Sequence, residues 1–439
     1  MNETFSAPPG DAESGIGQYG ETMLGWAKEL FPICRSITGE GLRHTIDFIR
    51  QIHPETDVHS FATGEKVFDW DIPREWAIRD AYIEHESGKR FAEFKVSNLH
   101  VVGYSAPLER TMSRDELLDM IWTQPDQPDR IPYITSYYTE RSGFCMSQND
   151  KEKLPPGHYR VLIDSELKAG ELNLAELVLP GETDEEVLFS TYICHPSMAN
   201  NELSGPVLAI ALADYLKRAW PNRSFGYRFL FVPETIGSIS YLSRNLARLK
   251  EKVRAGYVLS CVGDERAYSH VMSRLGDTLA DRALAAALAG RAEVKTYSFL
   301  KRGSDERQYC APGIDLPVCG FCRSKYGEYP EYHTDADNFD LVTANGLQGA
   351  FDVMRTLIDA FETGVHPRTT VLGEPQLGKR GLYPTISQKG SYNAVALRMN
   401  VLAYCDGATD IFTIAGRIGA PLADVVAEIG LLKSHGLIA

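Results

Sequence analysis

The 439-residue sequence has no run approaching the roughly 18 apolar residues that a membrane-spanning helix requires, so a span is not expected. Its start, MNETFSAPPGDAESG, shows no basic segment leading into an apolar one, and no secretory leader is read there. Basic residues are in deficit: 45 Lys and Arg stand against 59 Asp and Glu, a formal net charge of −14. Neutralising phosphates takes a concentrated basic face, so neither nucleic acid nor an anionic membrane is expected as a general partner. A disulfide framework is also missing. The eight cysteines are scattered through apolar contexts such as ICR, GFCM and YICH, which suits reduced, buried thiols in a cytoplasmic protein. Cys319 and Cys322 do form a C-x-x-C, but there is no second pair for a zinc knuckle and no helix directly behind it for a redox motif. Packing is the reading for both.

The chain is too long for one ordinary core, and two or three domains are expected. Apolar residues at helical spacing on either side of a break at Pro32 to Gly41 predict two helices near the start, behind an N-terminal tail without structure. From Val67 to about Asp164 the pattern shifts to short alternating runs such as FAEFKVSNLHVVGYS, IPYITSYY and HYRVLIDSEL, which predict a β-rich insert. From Glu185 strand and helix alternate. EEVLFSTYIC, GYRFLFVPE and AGYVLSCVG are read as strands, with helices after the first two and around Leu279 to Ala289, and further strands at Val294 to Leu300 and Leu316 to Gly320. Such alternation predicts an α/β sheet covered by helices on both faces, with sites at the carboxyl ends of strands. After His366, helical runs at Ala394 to Tyr404, Asp410 to Ile418 and Leu422 to Ser434 predict a winged-helix unit. Its last helix holds Lys433 alone as a cation, so docking or dimerisation fits it better than DNA reading. The expected division is 1–66 with 165–368 for the α/β domain, 67–164 for the insert and 369–439 for the winged helix.

Five features recur along the α/β part: His195; Asn200-Asn201-Glu202-Leu203-Ser204-Gly205; Pro233-Glu234-Thr235-Ile236-Gly237-Ser238; Gly303-Ser304-Asp305; and Tyr332-His333-Thr334-Asp335. Singly, each has an ordinary structural use, as a core imidazole, a helix-start carboxylate or a turn residue. In order they resemble the zinc aminopeptidases whose relatives include glutaminyl cyclase. Wording such as WDIPREWAIRDAYI, ICHPSMANNELSGP, FVPETIGSI, GSDERQYCAPGIDLPV and KYGEYPEYHTDADNF is similar to a bacterial aminopeptidase-like subgroup with an inserted β domain and a C-terminal winged helix. The resemblance implies a zinc site built from His195, Asn201, Glu234 and His333, with Glu234 as general base for water and Tyr332 as oxyanion donor.

The match departs from the family pattern at the acids. Asn201 stands where the family places a bridging Asp, and the family's Glu-Glu is here a single carboxylate, Glu234, between Pro233 and Thr235. The family's strand-end Asp is Ser260. A neutral amide brings no charge to offset a dication, so one zinc ion is expected rather than two. Three courses compete: Glu202 substitutes by a small loop shift, one metal is held by His195, His333 and Glu234 with Asn201 as an orienting group, or the metal is lost; Asp264 is a further alternative ligand. Arg35, Arg302, Asp305 and Arg307 are candidates for gripping a substrate carboxylate or phosphate. The function implied is amide hydrolysis of a small or carrier-linked aminoacyl intermediate in biosynthesis. Acyl transfer or cyclisation on the same scaffold, or a metal-free binding or scaffold role, are the alternatives. A homodimer through the insert or the winged helix is compatible with the sequence.

Overall fold

The computed structural model describes residues 17–383, 389, 392 and 395–439. The expectation of an unstructured N-terminal tail lies outside these residues, as does Ala394.

The two initial helices are α1 (Gly20–Leu30) and α2 (Glu40–Ile52). The main sheet is built from β1 (Asp57–Ala62), β2 (Glu171–Leu179), β3 (Glu186–Tyr192), β4 (Gly226–Val232), β5 (Val253–Leu259), β6 (Tyr268–Val271), β7 (Val294–Tyr297) and β8 (Val318–Cys322). Its spatial order is β1-β2-β4-β3-β5-β8-β6-β7. The central strands β4, β3, β5 and β8 run parallel, and every residue of β3 and β4 is buried, as expected of strands covered on both faces. Helices α3 (Ser204–Ala219), α4 (Ile236–Lys252), α5 (Leu279–Leu288) and α6 (Ala344–Thr363) complete the layers.

Strand alternation sorts the two cores. Val187, Phe189, Phe229 and Tyr257 face one side with α1, α2, α3, α5 and α6, while Leu188, Leu230 and Val258 face the other with Ile239 and Leu242 of α4. The strand predicted at Leu316 to Gly320 starts and ends two residues later. Cys319 and Cys322 fall three apart on β8 and join different clusters, so they do not face one another and serve packing. All eight cysteines are free.

Between β1 and β2 lies a separate four-stranded antiparallel sheet, centred on the long pair Glu75–His85 and His158–Lys168, with its own cluster around Ala81, Met112, Phe144 and Tyr159. Much of this region is irregular rather than strand, with two short helical turns at Arg114–Leu118 and Gln148–Glu152. At the C-terminus, α7 (Ala396–Tyr404), α8 (Ile411–Ile418) and α9 (Leu422–Ser434) form the helices of the winged helix. They share one core with the α/β layers: Phe412 meets Phe361 of α6 with ring centroids 5.4 Å apart.

Candidate active site

Three parallel strands end together, and their following loops carry the candidate residues: His195 three residues after β3, Glu234 two after β4, Ser260 directly after β5. The backbone of each loop is held in an unusual conformation. Ser197, Thr235, Cys261 and His333 all have positive φ (44°, 66°, 54° and 56°), which costs a non-glycine residue energy and persists only where surrounding contacts impose it.

His195 is buried, and its Nδ1–H donates to Glu202 Oε2 at 2.6 Å. That bond fixes the tautomer and turns Nε2 towards Glu234 Oε2, 3.8 Å away. Burial pushes the imidazole down to about 3, with the Arg35 charge adding to the effect. Burial likewise pushes the Glu202 carboxyl well up, while Arg35 pulls it back. Glu202 therefore orients His195 from behind, its Oε2 taken up by the ring.

Arg35 also lies behind His195. It is fully buried, donates from Nε to the His195 carbonyl at 2.9 Å and from Nη1 to the Leu30 carbonyl at 2.6 Å, and lies 3.6 Å from Glu202 Oε1. It braces the His195 loop and has no surface to offer a substrate.

The Asn200-Asn201 pair divides its work. Asn200 accepts the Gly263 N–H at 2.8 Å and donates to Asp264, tying the loop to the end of β5. Asp264 itself is filled by Asn200, the Arg266 N–H and the N–H and hydroxyl of Ser324, so it does not reach the site as a ligand. Asn201 points inward: Nδ2 donates to the Tyr192 hydroxyl at 2.6 Å, and Oδ1 accepts from His333 Nε2 at 3.1 Å. The Asp337 carboxylate receives the N–H groups of both asparagines at 2.5 and 3.0 Å, a role no motif announced. Burial raises that carboxyl to about 6.

Glu234 is set by both its neighbours in sequence and a distant loop. The Ile236 N–H bonds back to the Glu234 carbonyl at 2.8 Å, so Thr235 sits at the centre of a strained positive-φ γ-turn. Asp305 Oδ1 holds that turn by accepting the Thr235 N–H at 2.7 Å and the Ser238 hydroxyl at 2.8 Å, and Arg307 bonds the Thr235 hydroxyl. Ser304 Oγ donates to Glu234 Oε1 at 3.0 Å. Burial, then the Asp305 charge, raises the Glu234 carboxyl, and Arg307 opposes them. Asp305 and Arg307 thus support Glu234 and make no open grip for a substrate. Arg302 is exposed and folds back over the Phe299 ring, outside the site.

His333 stacks on Tyr332, with ring centroids 3.9 Å apart, and its imidazole is pushed down to about 3 by burial and then by His195. The two imidazole centroids are 5.8 Å apart. Tyr332 is half-buried, and its hydroxyl has no hydrogen-bond partner among the described residues. A wall the sequence reading missed comes from the insert: the Tyr133 ring lies 5.1 Å from both His195 and His333. The aromatic run IPYITSYY carried no spacing that tied it to the histidines.

Two imidazoles, one half-buried carboxylate and an amide oxygen converge here, and imidazole and carboxylate are donor types of a catalytic zinc site. The 3.8 Å from His195 Nε2 to Glu234 Oε2 is close to the edge of such a coordination shell. Asn201 and Ser260, which resemble positions of the family's acids, are neutral, and Glu234 is a single carboxylate, so the set carries less negative charge than a pair of dications calls for. Among the described residues, the three-residue groups with ligand atoms mutually within 4.8 Å are Cys194/His195/Glu202 and His270/Asp281/Cys319. In the second, Asp281 is the N-terminal capping carboxylate of α5 and is filled by Ser273 and Thr278 as well as His270.

The α/β fold is that of the zinc aminopeptidases. Residues 24–364 match the family described as a domain of unknown function (DUF4910), and residues 365–439 match a winged helix-turn-helix. The chain belongs to that family. A Clostridium acetobutylicum protein, named as a candidate polysaccharide biosynthesis protein with an aminopeptidase-like domain, is 41% identical over 429 residues, covering 95% of this chain and 97% of its own. The crystal structure of a candidate peptidase from the same organism superposes with a TM-score of 0.89 at 39% identity, covering 97% of each chain. A zinc aminopeptidase from Bacillus subtilis gives a TM-score of 0.55 at 12% identity over 78% of this chain and 94% of its own, a likeness of fold alone.

Proposed function

We propose that the α/β domain is an aminopeptidase-type amide hydrolase acting on an aminoacyl group of a biosynthetic intermediate, with one zinc ion held by His195, His333 and Asn201. The observation that carries this reading is the His195 arrangement: Glu202 and Arg35 lock the ring so that its lone pair faces Glu234 across 3.8 Å. A lone pair aimed at a carboxylate is repulsive unless a proton or a cation lies between them.

Zinc bound there would polarise a carbonyl and lower the pKa of water. The chain's own groups then divide the proton work. Glu234 Oε2 takes a proton from the attacking water and returns it to the departing amine, while Ser304 holds Oε1 and keeps the carboxylate in place. Its raised carboxyl suits a group that must both accept and release a proton near neutrality. Tyr332, whose hydroxyl is unspent, donates to the oxygen on which negative charge develops. The 41% identity to a protein named for polysaccharide biosynthesis supports a substrate from a biosynthetic route.

A second reading, a metal-free binding protein, is favoured by the neutral Asn201, Thr235 and Ser260. The deciding experiment is elemental analysis of protein purified without chelator or affinity metal, together with release of amine from a panel of aminoacyl amides. About one zinc per chain, with turnover lost in Glu234→Gln, is the expected result. No zinc and no turnover in either this sequence or Asn201→Asp would leave the binding-protein reading in its place.

A further inference from the structure

The insert does more than cover the sheet: it enters the site. Residues 131–137 are clamped to the His333 turn by the Tyr133 N–H to the His333 carbonyl (2.8 Å), the Asp335 N–H to the Ile131 carbonyl (3.0 Å) and the Ile131 N–H to the Asp335 carboxylate (2.9 Å). On the other side, the Gly103 N–H bonds the Ile134 carbonyl at 2.8 Å and the Ser136 N–H bonds the Gly103 carbonyl at 2.9 Å. The segment is therefore positioned by both the insert and the α/β domain.

Its tyrosines make an unusual set. The Tyr133 hydroxyl, above the two histidines, meets the Tyr137 hydroxyl at 3.1 Å. Tyr137 packs edge-on against Tyr104, whose own hydroxyl is already bonded to Thr38 and to the Arg74 carbonyl. Two phenols carry two protons and share one bond, so one O–H of the Tyr133 and Tyr137 pair has no acceptor among the described residues. Tyr137 packs against the buried cluster that contains Cys194, the residue directly before His195, so the unspent donor borders the site.

We propose that the Tyr133 and Tyr137 hydroxyl pair is a substrate-binding element supplied by the insert, its spare O–H donating to the carbonyl oxygen of an aminoacyl ligand held between Glu234 and the histidines. This rests on the aminopeptidase-type reading and adds the residues that select the ligand. A site built to donate to an oxygen discriminates against ligands that lack it, because the donor is then left buried and unpaired. The next residue, Tyr138, is exposed and meets Trp70 edge-on at 5.6 Å, so the same segment runs from the surface to the centre.

The test uses binding without turnover. Leucinamide and 3-methylbutylamine, which keeps the side chain and amine but lacks the carbonyl, are titrated by calorimetry into zinc-loaded full-length Glu234→Gln protein, with and without Tyr137→Phe or Tyr133→Phe. Either phenylalanine is expected to weaken leucinamide about five- to tenfold, the worth of one hydrogen bond, and to leave 3-methylbutylamine unchanged. Tyr404→Phe, far away in the winged helix, leaves both unchanged. Equal leucinamide affinity with and without the tyrosine hydroxyls overturns this assignment and leaves the hydrolase reading standing; an equal loss for both ligands overturns it too, because the tyrosines would then act by packing alone. No binding of leucinamide, together with no hydrolysis of any aminoacyl amide by the unmodified protein, overturns the hydrolase reading and this one with it.

Discussion

Asn201 is the residue on which the chemistry of the centre turns. Its amide sits between Tyr192 and His333 and bonds both. A carboxylate in the same place would add a negative charge where zinc needs one. Asn201→Asp is expected to raise zinc retention during dialysis against a chelator, read by elemental analysis. Arg35 and Glu202 form a buried pair behind His195, and each leaves one polar atom unpartnered, Nη2 and Oε1. Removing one partner strands the other. Arg35→Leu is expected to cost about 3–5 kcal/mol in denaturant unfolding, far more than a surface ion pair, because Glu202 would stay buried without its cation. An unchanged midpoint would show that Glu202 is held neutral and does not need Arg35.

At the scale of the element, the turn from β4 into α4 stores strain. Thr235 has φ 66° and ψ −71° at the start of a helix whose first side-chain cap is absent, and Asp305 and Arg307 hold it there. Thr235→Gly removes the Cβ penalty and is expected to stabilise the protein by about 1 kcal/mol while lowering turnover, since the strained turn is what aims Glu234. A thermal melt and an aminoacyl-amide assay read the two effects separately. The junction between α2 and the insert is electrostatic: Glu75 takes a bond from Arg43 at 2.7 Å and the Glu171 N–H at 3.2 Å. The Arg43 bond holds the Glu75 carboxyl below its usual range. A depressed carboxyl contributes stability above its unfolded pKa and loses it as pH falls through the folded value. Unfolding free energy is therefore expected to drop on acidification below about pH 4.5, and Glu75→Gln to flatten that limb.

The whole molecule is joined by shared apolar surface rather than by linkers. Val401, Ile411, Phe412, Val425 and Leu432 of the winged helix belong to the same buried cluster as Phe361, Leu357 and Leu347 of α6, and Arg282 of α5 meets Asp410 at 3.1 Å. A chain cut after residue 364 would expose that face of α6. It is expected to aggregate, and the full chain to unfold in one calorimetric transition; two separated transitions would show that the winged helix folds independently. The His195, Glu234 and His333 loops are held by long-range bonds from Asp337, Asp305 and the insert, so the site is a property of the assembled chain.

Local pattern was enough for a good deal of this. Strand runs ending in His195 and Glu234, a helix break at Pro32 to Gly41 and three short helices at the end were legible because burial on two faces and backbone propensity act over a few residues. The absence of carboxylates at Asn201, Thr235 and Ser260 was equally plain, since charge is written in the sequence. Tertiary structure decided what each polar group faces. Arg35 passed for a substrate grip until folding placed it with Glu202 behind His195, and Tyr133 had no sequence mark because its partners lie about 60 and 200 residues away along the chain. Hydrogen bonds and ion pairs depend on distances of a few ångströms, and only the folded chain sets those distances between residues so far apart in sequence.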